Sequence, residues 1–149
     1  MKIQTQLCQE EDKRLLLDIF KANTPKYFLP NEINWFSDYL DNEIEQFFVV
    51  KAEDKIIGCG GINTIKEEGI GIISWGMIHP DYHKKGAGKA LLEYRLEVLR
   101  SMKNIHTIRV RTAQHTYGFF EKFGFKTTKF EKDFWGPGLD LYEMIITRE

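Results

Sequence analysis

Ile78-His79-Pro80-Asp81-Tyr82-His83-Lys84-Lys85-Gly86-Ala87-Gly88-Lys89-Ala90-Leu91-Leu92 reads as a strand end, a glycine-bearing loop and the first turns of a helix. Upstream, Ile70 to Ile78 is apolar enough for a central strand, and Pro80 stops it. Downstream, Gly88 to Met102 carries Leu91, Leu92, Leu96, Leu99 and Met102 at helical spacing. A helix that begins directly after such a loop offers free backbone N–H groups and the positive end of its dipole. Gly86 and Gly88 let a ligand approach the backbone, and Lys84, Lys85 and Lys89 add cationic charge. The segment is a candidate cradle for a phosphate or pyrophosphate. The plainer reading of the same residues is an ordinary helix start with surface lysines.

Working outward, Lys2 to Leu7 alternates weakly as a first strand. Glu10 to Ala22 places Leu15/Ile19 and Leu16/Phe20 on one helical stripe, ended by Asn23 and Pro25. Thr24 to Pro30 is a loop, and Asn31 caps a second helix through about Tyr39. Gln46 to Ala52 and Lys55 to Ile65 read as a hairpin turned by Glu53-Asp54. Gly60-Gly61 inside its second strand predicts a bulge or a close backbone approach. After the central helix come a strand at Thr107 to Arg111 and a short helix at Tyr117 to Phe123 ended by Gly124. Strands at Phe125 to Phe130 and Leu139 to Ile146 complete the order. Strands in succession mixed with strands separated by helices predict an α/β fold with a mixed central sheet.

The common nucleotide motifs fit the loop poorly. Walker A requires Gly where His83 stands and Ser or Thr where Ala90 stands, and the Rossmann pattern requires Gly or Ala where Leu91 stands. The stretch from Ile78 to Gly88 instead resembles motif A of the GNAT superfamily of acetyl-CoA-dependent N-acyltransferases, Arg/Gln-x-x-Gly-x-Gly/Ala. Phe119-Phe120-Glu121-Lys122-Phe123-Gly124-Phe125 is similar to that family's motif B. The resemblance extends to the element order over most of the chain.

The resemblance implies a GNAT fold whose parallel strand pair, Ile70 to Ile78 and Thr107 to Arg111, splays apart. It implies acetyl-CoA as cosubstrate, no metal, and a primary amine on a small molecule or protein as acceptor. Its pyrophosphate contacts fall on His83, Lys84, Lys85, Gly86, Ala87, Gly88 and Lys89. Gly76, Met77 and Ile78 pair with the pantetheine arm, and a backbone N–H near Met77 polarises the thioester. Phe120 and Lys122 lie near the arm or its phosphates. The chain departs from the family in three places. His83 replaces Arg or Gln, Phe120 replaces the Tyr that commonly acts as general acid, and Ala113 replaces an accompanying Asn. Ile108 also stands where some relatives place a catalytic Glu. Tyr117 is the leading substitute acid and Tyr142 a second candidate, while Ser74, His79 and His115 could hold a water.

For the acceptor, the resemblance points to the loop between the first two helices, with Tyr27, Phe28, Leu29 and Trp35, and to the loop Phe134-Trp135-Gly136-Pro137-Gly138. Trp35 and Trp75 are expected to pack the core and Trp135 to line the pocket. Glu32, Asp38, Asp41, Glu43 and Glu45 read as a solvated helix face and turn. An acetyltransferase, a non-catalytic acyl-CoA sensor and an unrelated phosphate binder remain as alternatives. The first two differ only in turnover.

Bulk properties agree with this frame. The sequence has 149 residues, 42% hydrophobic and 29% charged, with a net charge of −1, which suits one domain over 1–149. The charge argues against a nucleic-acid partner. No run reaches the about 18 apolar residues of a membrane span, and the first residues lack a signal-peptide pattern, so a cytoplasmic setting is expected. Cys8 and Cys59 make no metal-binding spacing, and Cys59 reads as a buried thiol. A homodimer is compatible with the family, but no residue decides it.

Overall fold

The computed structural model describes residues 2–147. Strand β1 (Ile3–Leu7) leads into helix α1 (Lys13–Ala22), and a 3-10 turn at Pro30–Glu32 opens α2 (Ile33–Asn42). Strands β2 (Gln46–Ala52), β3 (Lys55–Ile65) and β4 (Ile70–Ile78) form a meander. Helix α3 (Ala87–Arg100), β5 (Thr107–Thr112), α4 (Tyr117–Glu121), β6 (Lys126–Gly136) and β7 (Leu139–Thr147) follow. One seven-stranded sheet has the order β1-β2-β3-β4-β5-β7-β6. Every neighbouring pair is antiparallel except β4–β5, whose parallel pairing needs the crossover that α3 provides.

Both helix starts on the N-terminal side use the same device. The Asp12 carboxylate accepts the Gln9 N–H at 2.9 Å, and the Glu32 carboxylate accepts the Leu29 N–H at 2.7 Å. Each sheet face then buries its own core. On one face α1 and α2 seat Leu16, Ile19, Phe20, Phe36 and Tyr39 against Phe47, Val49, Cys59 and Met77. On the other, α3 and α4 seat Leu91, Leu92, Leu96, Leu99 and Phe120 against Phe48, Val50, Ile62 and Val110. Strand β2 feeds both cores, hence its unbroken apolar run. Leu15, expected on the buried stripe of α1, is exposed because only Leu16, Ile19 and Phe20 face the sheet.

The glycine pair at Gly60-Gly61 marks a bulge, as its sequence suggests. Cys59 pairs with Met77 and Gly61 with Ser74, so Trp75 and Gly76 together face Gly60. Trp75 adopts a left-handed φ of +48° there, a strained conformation for a bulky residue. The β4–β5 pairing runs only from Ile70/Thr107 to Ile73/Val110. Beyond it, β4 stays on β3 to Ile78 while β5 stays on β7 to Thr112. The two strands therefore diverge at the bulge and leave a wedge.

One element is longer than its sequence suggests. β6 extends from Lys126 to Gly136, so Phe134-Trp135-Gly136 lies at the end of a strand and only Pro137-Gly138 turns the hairpin. It is an edge strand with an exposed run of residues, so no in-out hydrophobic alternation marks it. Its register also slips between Glu131 and Gly136, where Asp133 takes a φ of +56°.

A side chain at Gly58 has no room, since a Cβ there would lie 2.7 Å from the Met77 backbone oxygen and 2.4 Å from Ile78 Cδ1. Gly58→Ala is expected to destabilise the fold by about 1–3 kcal/mol through overpacking. Urea unfolding checks this as a lower midpoint at unchanged slope.

Candidate active site

The loop after β4 is built from two left-handed residues around an otherwise extended turn. Pro80–Tyr82 forms a 3-10 turn in which His79 Nδ1 accepts the Asp81 N–H at 3.1 Å. Lys84 (φ +61°) and Gly86 (φ +89°) then reverse the chain so that it enters α3 at the fully buried Ala87. Such alternation turns successive N–H groups toward one concavity. Among the described residues, the amides from Lys84 through Lys89 donate to no backbone or side-chain acceptor, while Ala90 donates to Gly86. A Cβ on Gly88 would meet nothing closer than Phe119 Cζ at 3.8 Å. The packing of the chain therefore does not require a glycine there, whereas close approach by an anion does. Lys84, Lys85 and Lys89 are exposed around this concavity.

The wedge meets the cradle at the end of β4. The His79 N–H donates to Ile57 O at 2.7 Å. The alternation of an antiparallel ladder then turns Met77 toward β3 and turns Gly76 and Ile78 toward the open side. Accordingly, the Ile78 carbonyl accepts Asn23 Nδ2–H at 3.1 Å and His83 Nε2–H at 2.7 Å. His83 thus ties the loop to the strand through its ring instead of reaching outward. Of the three strand-end residues named from sequence, Gly76 and Ile78 present backbone groups to the wedge, whereas Met77 faces its partner strand and buries its side chain under α1.

On α4 the two adjacent phenylalanines part company. Phe120 is 9% exposed and packs on Phe125 in the core, while Phe119 faces Gly88 and Ile78. A helix this short has no periodicity from which to read its rotational phase. Lys122 is exposed at its end. Tyr117 and Tyr142, the two hydroxyl candidates, stack on each other at 4.3 Å and 6°. Ile108 and Ala113 are buried, so neither position offers a proton carrier.

The mouth of the wedge is closed in by two loops. Tyr27 sets its ring edge-on to His83 at 5.2 Å and to His115 at 5.8 Å, bridging the cradle and the β5–α4 loop. Leu29 packs against Gly136, which brings the α1–α2 loop onto the β6–β7 hairpin. Gln114 fastens that hairpin by donating to Gly138 O at 2.6 Å and accepting the Asp140 N–H at 2.9 Å. Half-buried Trp135 donates its Nε1–H to Thr112 O at 3.4 Å. Trp75 packs the core as expected, among Phe20, Phe28, Phe36 and Tyr39. Trp35 does not, being 54% exposed on the outer face of α2. Asp38, Asp41, Glu43 and Glu45 are solvated as expected, but Glu32 is only 2% exposed, and burial raises its carboxyl pKa. Its place in the helix-start device explains the difference. Ser74 donates to Asn63 Oδ1 at 2.8 Å, an acceptor that Tyr39 also uses.

Gln114 and Arg95 carry no sequence signal of their own, and Asn23 is read from sequence only as the end of α1. Asn23 caps α1 locally through Ile19 O but also reaches Ile78 on β4, and Gln114 reaches the distant β6–β7 hairpin, contacts that no local pattern reveals. Arg95 is a charged residue on the apolar face of α3, an anomaly legible once Leu91, Leu92, Leu96 and Leu99 define that face.

The sequence matches the acetyltransferase (GNAT) family over residues 13–125. It is 33% identical over 95 residues to an amino-acid acetyltransferase of Pseudomonas fluorescens, covering 64% of this chain and 22% of that protein. The chain thus spans about a fifth of the length of the curated relative it matches. Its fold is similar to that of Ard1 from Thermoplasma volcanium, with a TM-score of 0.82 at 16% identity over 100% of this chain and 99% of the other. It is also similar to yncA from Salmonella typhimurium, a structure with its cofactor acetyl-CoA, with a TM-score of 0.73 at 14% identity over 100% and 95%. No helix of the described residues is long and apolar enough to cross a membrane.

Gly88→Val separates ligand space from fold. Thermal stability is expected to stay level, since a Cβ there meets only ordinary contacts and glycine is the poorer helix former. Acetyl-CoA affinity is expected to fall by about ten-fold or more through lost charge-assisted hydrogen bonds. Calorimetric titration of the variant beside the wild type checks both halves; unchanged affinity excludes this loop as the phosphate site.

Proposed function

The chain belongs to the acetyltransferase (GNAT) family, and from that premise we propose that it transfers the acetyl group of acetyl-CoA to a primary amine of a small molecule or a protein. The observation that carries this reading is the row of unpartnered amides from Lys84 to Lys89 beside the open edge of β4. In this proposal those amides and the α3 dipole hold the pyrophosphate, with Lys84, Lys85 and Lys89 on its oxygens. The pantetheine arm adds to Gly76–Ile78 as an extra strand. The N–H of Gly76 or Ile78 faces the thioester carbonyl and stabilises the charge that develops on its oxygen. That role passes to these residues because the ladder turns Met77 toward β3. Phe119, in place of Phe120, flanks the arm.

The acceptor enters between the α1–α2 loop and the β6–β7 hairpin, where Tyr27, Phe28 and Trp135 supply aromatic surface for a cation. The name of the Pseudomonas relative makes free amino acids the first acceptors to try. Tyr117, next to the wedge, is the group that hands a proton to the leaving sulfur. Because Phe120 and Ile108 carry no proton, a non-catalytic acyl-CoA sensor is the competing reading; it predicts binding without turnover.

Titration with acetyl-CoA, CoA and ATP tests the cradle, and release of free CoA thiol with an amino-acid panel tests turnover. Tight binding of both CoA forms, weak ATP binding and thiol release with at least one amine are expected. The chain's own thiols are the weaker nucleophiles in that assay. Burial and nearby Asp12 push the Cys8 thiol up to about 11, and complete burial raises that of Cys59 further, so both stay protonated near neutral pH. Tyr117→Phe is expected to lower kcat by about 10²-fold, the low end for a general acid, without changing acetyl-CoA affinity. An unchanged kcat assigns the proton to water.

A further inference from the structure

Arg95 lies on the apolar face of α3 and is only 3% exposed. Its guanidinium enters the sheet at the β3–β4 bulge. Two glycines on adjacent strands clear the slot: a Cβ on Gly60 would lie 2.8 Å from Nη1, and one on Gly76 would lie 2.7 Å from Nη2. Nη1 donates to Gly61 O and to Ser74 O, both at 3.3 Å. These carbonyls belong to the last regular pair before the bulge, so one nitrogen bridges the two strands where the irregularity begins. Nε has no partner at all. Among the described residues no carboxylate pairs with Arg95. The ionisable groups facing it are Cys59 on β3 and Tyr39 on α2, both neutral near pH 7. Burial lowers the pKa of Arg95 to about 10, which still leaves it charged.

A cation held by two long bonds to neutral carbonyls is costly in a core that leucine or methionine could fill. Its field is also little quenched, and it acts one peptide away from the wedge, because the guanidinium touches Gly76 from the α3 face.

We propose that Arg95 is a positioning residue for acetyl transfer, holding the β4 bulge that aims Gly76 into the wedge and favouring, through its uncompensated charge, the thiolate form of the leaving CoA. This inference rests on the acetyl-transfer reading above. In that reaction the amine lone pair forms a C–N bond to the thioester carbon and the carbonyl π pair moves onto oxygen. When the oxygen pair returns, the C–S bond breaks and its electrons leave on sulfur as thiolate. The proton lost from nitrogen goes to water, and Tyr117 or water later protonates the sulfur. The permanent charge of Arg95 lowers the energy of the anionic sulfur whichever donor acts, which offsets the absence of the family's usual tyrosine at Phe120.

The test is the pKa of the thiol of bound CoA, followed by thiolate ultraviolet absorbance against pH. Complexes with dethio-CoA serve as the blank that cancels absorbance changes of the protein's own side chains. In the wild type the bound thiol is expected to titrate about one unit or more below free CoA, a ten-fold shift toward thiolate. Arg95→Met is expected to return it close to the free value and to lower kcat by about ten-fold or more, with acetyl-CoA affinity within about three-fold. Arg95→Lys, which keeps the charge, is expected to retain most of the shift. A wild-type bound thiol that titrates like free CoA overturns the inference without any variant, as does a shift that survives Arg95→Met. Failure of the wild type to bind CoA at all is a separate result, one that removes the acetyl-transfer reading and this inference with it.

Discussion

Backbone N–H and C=O groups inside a sheet must find partners, and β4 beyond Ile73 loses β5 as a source of them. The rest of the site is arranged around that loss. The chain meets part of the demand itself, since Asn23 and His83 both donate to the Ile78 carbonyl. What stays open faces the wedge, and the next unpartnered groups along the chain are the amides of the Lys84–Lys89 loop. An extended ligand with an anionic head matches both sets at once, with the strand edge taking its polar arm and the helix start taking its phosphates.

Holding this opening requires compensation elsewhere. Trp75 sits in a left-handed conformation that its ring contacts with Phe20, Phe28, Phe36 and Tyr39 must stabilise. Arg95 remains a desolvated cation across the sheet from that ring. The bulge is thus clamped from both faces, by aromatic packing on one and by a guanidinium on the other.

Much of this was legible in the sequence because it rests on local patterns. The apolar run of β4, the helical spacing of Leu91 to Leu99, the Gly86 and Gly88 positions and the Gly60-Gly61 pair each announce a local conformation, and each has its expected place. What the sequence left hidden depends on partners brought from far along the chain. Which of Phe119 and Phe120 enters the core is hidden because five residues of helix have no readable phase. The direction in which Met77 presents its backbone is hidden because ladder alternation is fixed by register against β3. Glu32 looks like one more surface acid until its bond to the Leu29 N–H is seen, and β6 outruns its reading because an edge strand needs no apolar face.

The short parallel seam between β4 and β5 also bears on how the molecule assembles. The hairpins β2–β3, β3–β4 and β6–β7 join neighbours in sequence and need only local chain closure. The seam joins Ile70–Ile73 to Thr107–Val110 across the whole of α3 and its flanking loops, a far larger loop closure than any hairpin and second to that of β1 onto β2. Each flank of the wedge can order independently, but the wedge exists only once the seam has docked them. Completion of the wedge during refolding therefore reports long-range docking rather than the appearance of secondary structure.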